Sequence, residues 1–341
     1  MHKIFIRHRS KHHSSYSGYA KLLEYVDAEI IDGHQTKLPF KLAKWFSDQI
    51  PTTSGNYDSQ SAKKEVELFN TLKANSNKKS IVHYLNGERD VRYNLRFKKK
   101  FSNTKFVATF HKPPNVLKDK ITNLKYLKKL DAAVCVGANQ VDFIKNWLKL
   151  DNVEYIPHGV DINYFKPDAN LEKEHCILFV GQHLRDFETL NWVIPKFLKY
   201  DKNLKVKVVG TTFALKKVNT AENVVKLSDV DDSQLRHLYQ SSKLLFLPLK
   251  GGTACNSILE AMACGLPIVT NKIGGNEAYL QETNSCFENN PETLLSETIN
   301  LIEDEAKQNA NSLLLRKRAL EYDWTIIADK INKFHVKLSE K

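Results

Sequence analysis

The residues best suited to chemistry in this 341-residue chain lie in GGTACNSILEAMACG, at 251–265. Gly251 and Gly252 leave the backbone open behind an apolar strand. Thr253, Asn256 and Ser257 are types that cap a helix start, here that of ILEAMACG. A helix N-terminus exposes unpaired N–H groups and the positive end of its dipole, which together attract phosphate. Glu260 falls one turn into that helix, within reach of a ribose carried on such a phosphate. Spacing alone leaves a second reading open, an ordinary capped strand–helix–strand unit. Arg185, in VGQHLRDFE, offers a fork of donors suited to phosphate, against the alternative of a surface pair with Asp186 or Glu188. His111 ends the apolar run KFVATF, and the end of a parallel strand faces the crevice where ligands bind in such sheets. Asp229–Val230–Asp231 is a D-x-D triplet, but it precedes QLRHLY, where Asp231, Asp232 or Ser233 reads as a helix cap. His12 and His13 lack further ligands at sensible spacing, so no metal is expected.

These residues need elements to hold them. KIFIRH (3–8), SIVHYL (80–85), KFVATF (105–110) and AAVCVG (132–137) predict strands. Between or beside them lie helical patterns at 61–74, 116–130 and 139–150. After a loop punctuated by Pro157, Gly159 and Pro167, a second series of strands follows: CILFVG, LKVKVVG, NVVKL, LLFLPL and LPIVT. The stretch LLLRKRALEYDWTIIADKINKFHVKL predicts one long terminal helix. Strands alternating with helices imply parallel, doubly wound α/β sheets in two halves.

The totals agree with a globular chain of two domains: 42% apolar, 26% charged, and no apolar run long enough to span a bilayer. Five cysteines without a CxxC pair read as reduced thiols in a cytoplasmic protein. The net charge of +12 is uneven, with 28 basic against 13 acidic residues in 1–150 and 23 against 26 in the rest. From Arg92 to Lys129 there are twelve basic residues and one acid, Asp119. Such a half faces an anionic partner or is simply a solvated, lysine-rich surface. Nucleic acid is not expected, because the basic stretch lacks interleaved stacking aromatics. The pattern at 116–130 reads either as a basic amphipathic helix on an anionic membrane or as one packed on the sheet.

EAMACGLPIVTNKIGGNEAYL (260–280) resembles the donor segment of glycosyltransferase family 4, the retaining enzymes of the GT-B fold. PHGVDINYFKP (157–167) resembles its interdomain segment, and ILFVG its donor-phosphate strand. The resemblance implies two Rossmann-like domains facing across a cleft: an acceptor domain at 1–158, a nucleotide-sugar domain at 159–318, and a C-terminal helix at 319–341 crossing back. It implies a metal-independent transferase without cofactor, taking a nucleoside diphosphate sugar to a glycan, lipid-linked or other anionic acceptor. Such a protein would be cytoplasmic or peripheral at the inner face of the cell membrane.

Carried over by position, the resemblance puts Gly18, Gly181, Gln182, Arg185, Gly252, Thr253, Asn256, Ser257, Ile258 and Glu260 at the donor. His111, Glu260 and Arg185 take the catalytic roles. Glu260 matches the second acid of an E-x(7)-E pattern, which contacts ribose. Gly252 stands where the first acid would contact the sugar, with Thr253 and Asn256 as the nearest polar substitutes, and Gln182 replaces a usual cation. The missing acid keeps two alternatives in view, a non-transferring nucleotide-sugar binder and an epimerase of the same fold.

Overall fold

A computed structural model describes residues 1–8, 16, 18–49 and 57–340. They form two compact units. Unit 1 comprises residues 1–8, 18–49, 57–158 and 324–340, and unit 2 comprises 159–323 with Tyr16.

Unit 1 is built on β1 (His2–Ile6), β2 (Glu29–Ile31), β3 (Ser80–Tyr84), β4 (Thr104–Phe110), β5 (Ala132–Cys135) and β6 (Val153–Tyr155), in the order β2-β1-β3-β4-β5-β6. Every pairing is parallel, with Val82 opposite Ile4 on one side and Phe106 on the other. The central strands are buried throughout, as parallel sheets covered on both faces require, which explains their unbroken apolar runs. Four helices matter below: α1 (Phe40–Asp48), α2 (Ser59–Ala74), α3 (Pro114–Lys120) and α4 (Val141–Leu148).

The single helix expected over 116–130 does not form. α3 stops at Lys120, and Ile121 is extended (φ −125°, ψ 89°). Ile121, Thr122 and Asn123 all hold helical backbone poorly, through β-branching or competing side-chain bonds. Of the apolar residues of this stretch, Leu117, Ile121, Leu127 and Leu130 are buried in the core of unit 1, Leu124 packs against it partly buried, and Val116 stays part-exposed.

Unit 2 repeats the plan with β7 (Cys176–Val180), β8 (Lys205–Val209), β9 (Val224–Leu227), β10 (Leu244–Phe246), β11 (Ile268–Asn271) and β12 (Cys286–Phe287), ordered β12-β11-β10-β7-β8-β9 and again parallel. Its helices include α5 (Phe187–Tyr200), α6 (Asp232–Ser241), α7 (Asn256–Ala263) and α8 (Glu305–Leu320). Asp231 caps α6, accepting from the N–H groups of Ser233 and Gln234, so the D-x-D triplet serves the helix.

The long terminal helix is two: α8 and α9 (Trp324–Ser339) are separated at 321–323. There the Tyr322 carbonyl accepts the N–H of Val160 (2.9 Å), and its hydroxyl is drawn to the Ala278 and Tyr279 carbonyls. That anchoring leaves the helical path, and α9 belongs to unit 1. Two parallel α/β sheets of Rossmann type are the architecture the GT-B resemblance implies.

Candidate functional site

In unit 2 the chain lays down β7, β8 and β9 to one side, then returns to place β10 on the other. Ligands bind where strand order reverses, beyond the carboxyl ends, so the loops after β7 and β10 define the candidate site. Gly181 ends β7 with φ +98°, and a Cβ there would lie 2.7 Å from Nη2 of Arg185. Glycine is therefore required for Arg185 to fold back beneath the turn. Its Nε donates to the Val180 carbonyl (2.7 Å), Nη1 to the His183 carbonyl (3.1 Å) and Nη2 to Ser257 Oγ (3.1 Å). The alternative surface pairs do not exist. Asp186 caps α5, and Glu188 pairs with Lys250 (2.9 Å). Among the described residues Arg185 forms no ion pair with a carboxylate, so its charge is held in place without a counter-charge. Gln182 is exposed and accepts from the Thr211 hydroxyl.

The start of α7 departs from the expected capping. Cys255 occupies the cap position and makes no side-chain cap bond, while Asn256 and Ser257 are the first two helical residues. Thr253 is buried in the preceding loop. Ser257 instead turns its hydroxyl to Arg185, which joins the cation to the positive end of α7. Ile258 packs in the core of unit 2. Glu260 is 3% exposed and its Oε2 accepts from the Tyr239 hydroxyl (2.7 Å). Burial and the Glu260 charge push that hydroxyl's pKa well above the usual tyrosine value. At Gly252 a Cβ would meet only Leu249 Cδ1, at 4.0 Å, so the missing acid is not excluded by crowding.

Unit 1 holds the other two predicted residues. Gly18 is extended (φ −68°, ψ 143°), a conformation open to any residue, and its carbonyl accepts from Lys21 N–H. His111 follows β4, half-buried, with its ring edge-on to Tyr19 at 4.7 Å between centroids. Nε2 lies 2.7 Å from the Leu85 carbonyl, which fixes the proton on that nitrogen. Burial lowers the ring's pKa, and the nearby Glu88 carboxylate opposes this in part. Near neutral pH His111 is thus an uncharged, oriented imidazole. Glu88 also accepts the backbone N–H of Lys112 (2.7 Å), pinning the chain just beyond the histidine.

Residues 174–304 match the family described as Glycosyl transferases group 1, a span that includes Arg185, Ser257 and Glu260. This segment is a group 1 glycosyl transferase domain. Over 145 residues the chain is 24% identical to a D-inositol 3-phosphate glycosyltransferase of Segniliparus rotundus, covering 36% of this chain and 32% of that protein. Over 254 residues it is 24% identical to an uncharacterized glycosyltransferase of Methanocaldococcus jannaschii, covering 67% and 60%. The chain thus spans less than two thirds of the length of both curated relatives. The Anabaena protein HepE, solved in complex with UDP and glucose, superposes with a TM-score of 0.69 at 13% identity, covering 99% of this chain and 100% of that one. At that identity the likeness is one of fold.

Within the group 1 glycosyl transferase domain, two contributors escape a reading of motif spacing. Tyr239, on α6, reaches Glu260 across 21 positions, and its only local sign is a tyrosine on the buried side of QLRHLY. Gly274 and Gly275 back the 252–253 loop, with Gly275 N–H donating to the Gly252 carbonyl (3.2 Å). The paired glycines in KIGGNEAY were the available signal.

Proposed function

We propose that the protein is a retaining glycosyltransferase that moves a sugar from a nucleoside diphosphate sugar to a hydroxyl of a glycan, lipid-linked or other anionic acceptor. One observation carries this reading: Arg185, without a counter-charge, bonds to Ser257 in the first turn of α7 at the strand-order reversal of unit 2. A departing diphosphate develops negative charge, and a guanidinium fixed beside a helix N-terminus stabilises it without reorganising. Glu260, steadied by Tyr239, is the ribose acceptor, and neutral His111 orients the sugar or the acceptor hydroxyl. No metal is needed if these groups carry the charge. UDP is the first nucleotide to try, being the one held by the Anabaena protein.

Calorimetric titration of UDP and other nucleoside diphosphates tests the site. Arg185→Ala and Glu260→Ala are each expected to weaken binding by roughly 10- to 100-fold, the range for a lost charge-assisted hydrogen bond. Unchanged affinity in both variants would remove the site. The second reading, a binder without transfer, rests on Gly252. It predicts tight donor binding with no nucleoside diphosphate released across a panel of acceptors.

We also propose that the protein works at the inner face of an anionic membrane, and the surface for it is α1. Phe40, Leu42 and Trp45 are 62%, 44% and 54% exposed, alongside exposed Lys37, Lys41 and Lys44. Aromatic side chains beside lysines suit the headgroup boundary. Co-sedimentation with vesicles containing phosphatidylserine is expected for the wild type, and about tenfold weaker binding for a Phe40→Ala, Trp45→Ala double variant. Equal binding to zwitterionic vesicles, or no effect of the double variant, would discard α1 as the contact. Among the described residues no helix is long and apolar enough to cross a membrane.

A further inference from the structure

Unit 1 has its own strand-order reversal, since β1 lies between β2 and β3 and the chain continues outward from β3. The segment following β3 is polar and deeply buried. Within it, Asn86 Oδ1, Glu88 Oε2, Arg92 Nε and Nη2, and Asn94 Oδ1 are buried atoms with no hydrogen-bond partner among the described residues. Unpartnered buried polar groups are rare, because each loses its hydration without compensation. Five of them within nine residues, at the position where such sheets bind ligands, mark a site rather than a packing defect.

Arg92 is the most costly of these groups. It is 1% exposed, yet only Nη1 is used, donating to the Val91 carbonyl (2.6 Å). The nearby carboxylate of Glu65 is committed elsewhere. It accepts the backbone N–H groups of Arg92 (3.1 Å), Tyr93 (2.5 Å) and Asn94 (3.2 Å), and the hydroxyl of Tyr57 (3.2 Å). Glu65 therefore builds the loop that presents Arg92 and leaves the side-on edge of the guanidinium unmatched. Nε and Nη2 are the two parallel donors that engage both oxygens of a carboxylate or phosphate. The rings of Tyr57 and Tyr126 stand 5.6 and 6.0 Å from the guanidinium carbon. Both tyrosines are partly exposed.

We propose that Arg92 is the anion-recognition residue of a ligand site beyond the carboxyl end of β3, gripping a phosphate or carboxylate side-on through Nε and Nη2. The neighbouring Asn86, Glu88 and Asn94 oxygens suit the hydroxyls of a polyol that carries this anion. The proposal deepens the functional reading, resting on unit 1 as the acceptor-binding half, and assigns the acceptor's negative charge to one residue.

Thermal unfolding of the full chain, with inorganic phosphate or glucuronate titrated in, tests it. Wild type and R185A should both rise in Tm with at least one of the two anions, and adding R92Q to R185A should abolish the rise that R185A keeps. Which anion acts separates phosphate from carboxylate acceptors. Without anion, R92Q should be at least as stable as wild type, because it removes a buried cation whose Nε and Nη2 bond nothing. R92K keeps the charge but not the fork, and should need about tenfold more anion for the same rise. UDP affinity should be unchanged in R92Q. If the rise is lost in R185A and kept in R92Q, the anion sits in unit 2, and the Arg92 site is overturned while the donor site stands. If R92Q does not fold, R92K decides alone: wild-type anion response in R92K overturns the proposal. So does the absence of any rise in the wild type.

Discussion

Gly275→Ala is expected to destabilise the protein by about 3 kcal/mol and to weaken nucleoside diphosphate binding at least about tenfold, effects at the upper end for overpacking. A Cβ built on Gly275 falls 2.0 Å from the Thr253 carbonyl oxygen and 2.9 Å from its carbon. Both obstacles are backbone, so no side chain can swing aside. Relief requires the 252–255 loop to retreat. That loop leads directly into α7, and its movement drags Ser257 from Arg185, now 3.1 Å away. Stability and binding should therefore fall together, which a purely local clash would not produce. Gly252→Ala is the control, since its Cβ meets only Leu249 Cδ1 at 4.0 Å. Urea unfolding and UDP titration read both quantities. A Gly275→Ala variant as stable and as tightly binding as Gly252→Ala would show that the two loops are not coupled.

The contrast between these glycines shows where sequence reasoning reaches. Gly181 and the 251–265 stretch were legible because their chemistry is local: a glycine turn, a cation four positions on, and a helix beginning after a strand. The buried strands β3, β5, β7 and β10 were legible for a related reason, since a parallel sheet covered on both faces demands mostly apolar runs. The edge strands β2, β6 and β12 were not anticipated. They have three, three and two residues, too few for periodicity to register. The expected helix over 116–130 failed through a competition that spacing does not show. Ile121 and Leu127 gain more from the core than from continuing a helix, and Thr122–Asn123 costs little to unwind. Capping by Thr253 or Asn256 was chemically reasonable, yet the helix begins one residue after Cys255 and leaves Ser257 to hold Arg185. Glu65, Glu88 and Arg92 were invisible as a group. Glu65 bonds its loop across 27 to 29 positions, and no local pattern reports such a contact.

Acid should unfold this protein earlier than its carboxylates alone would dictate, because unit 1 buries two touching histidines. His83 on β3 and His335 on α9 are both fully buried, with Nδ1 of the first 3.0 Å from Nε2 of the second. His83 Nε2 continues to the Thr109 hydroxyl (2.8 Å) on β4. Burial pushes both rings down: His83 lies well below the usual histidine range, with His335 adding to the effect, and His335 falls to about 3, with Lys3 contributing. In the unfolded chain each takes a proton near the ordinary value of about 6.5. Their neutral, buried forms therefore contribute fully above that value. Below it the unfolded state binds the extra protons, and stability drops by about 1.4 kcal/mol per pH unit for each ring. For His335 the loss continues until the pH nears its folded value of about 3. Urea midpoints should change little above about pH 7 and fall at close to two protons' slope from about pH 6 down to about pH 5. His335→Gln can keep a hydrogen bond to His83 but cannot titrate, and should flatten the slope by about one proton while lowering stability at neutral pH. Because α9 is the segment that returns to unit 1 after Asp323, its amides should be the first in that unit to lose exchange protection on acidification. A pH slope identical in His335→Gln and wild type would mean that the pair stays neutral in the unfolded chain as well, or is never buried together in solution.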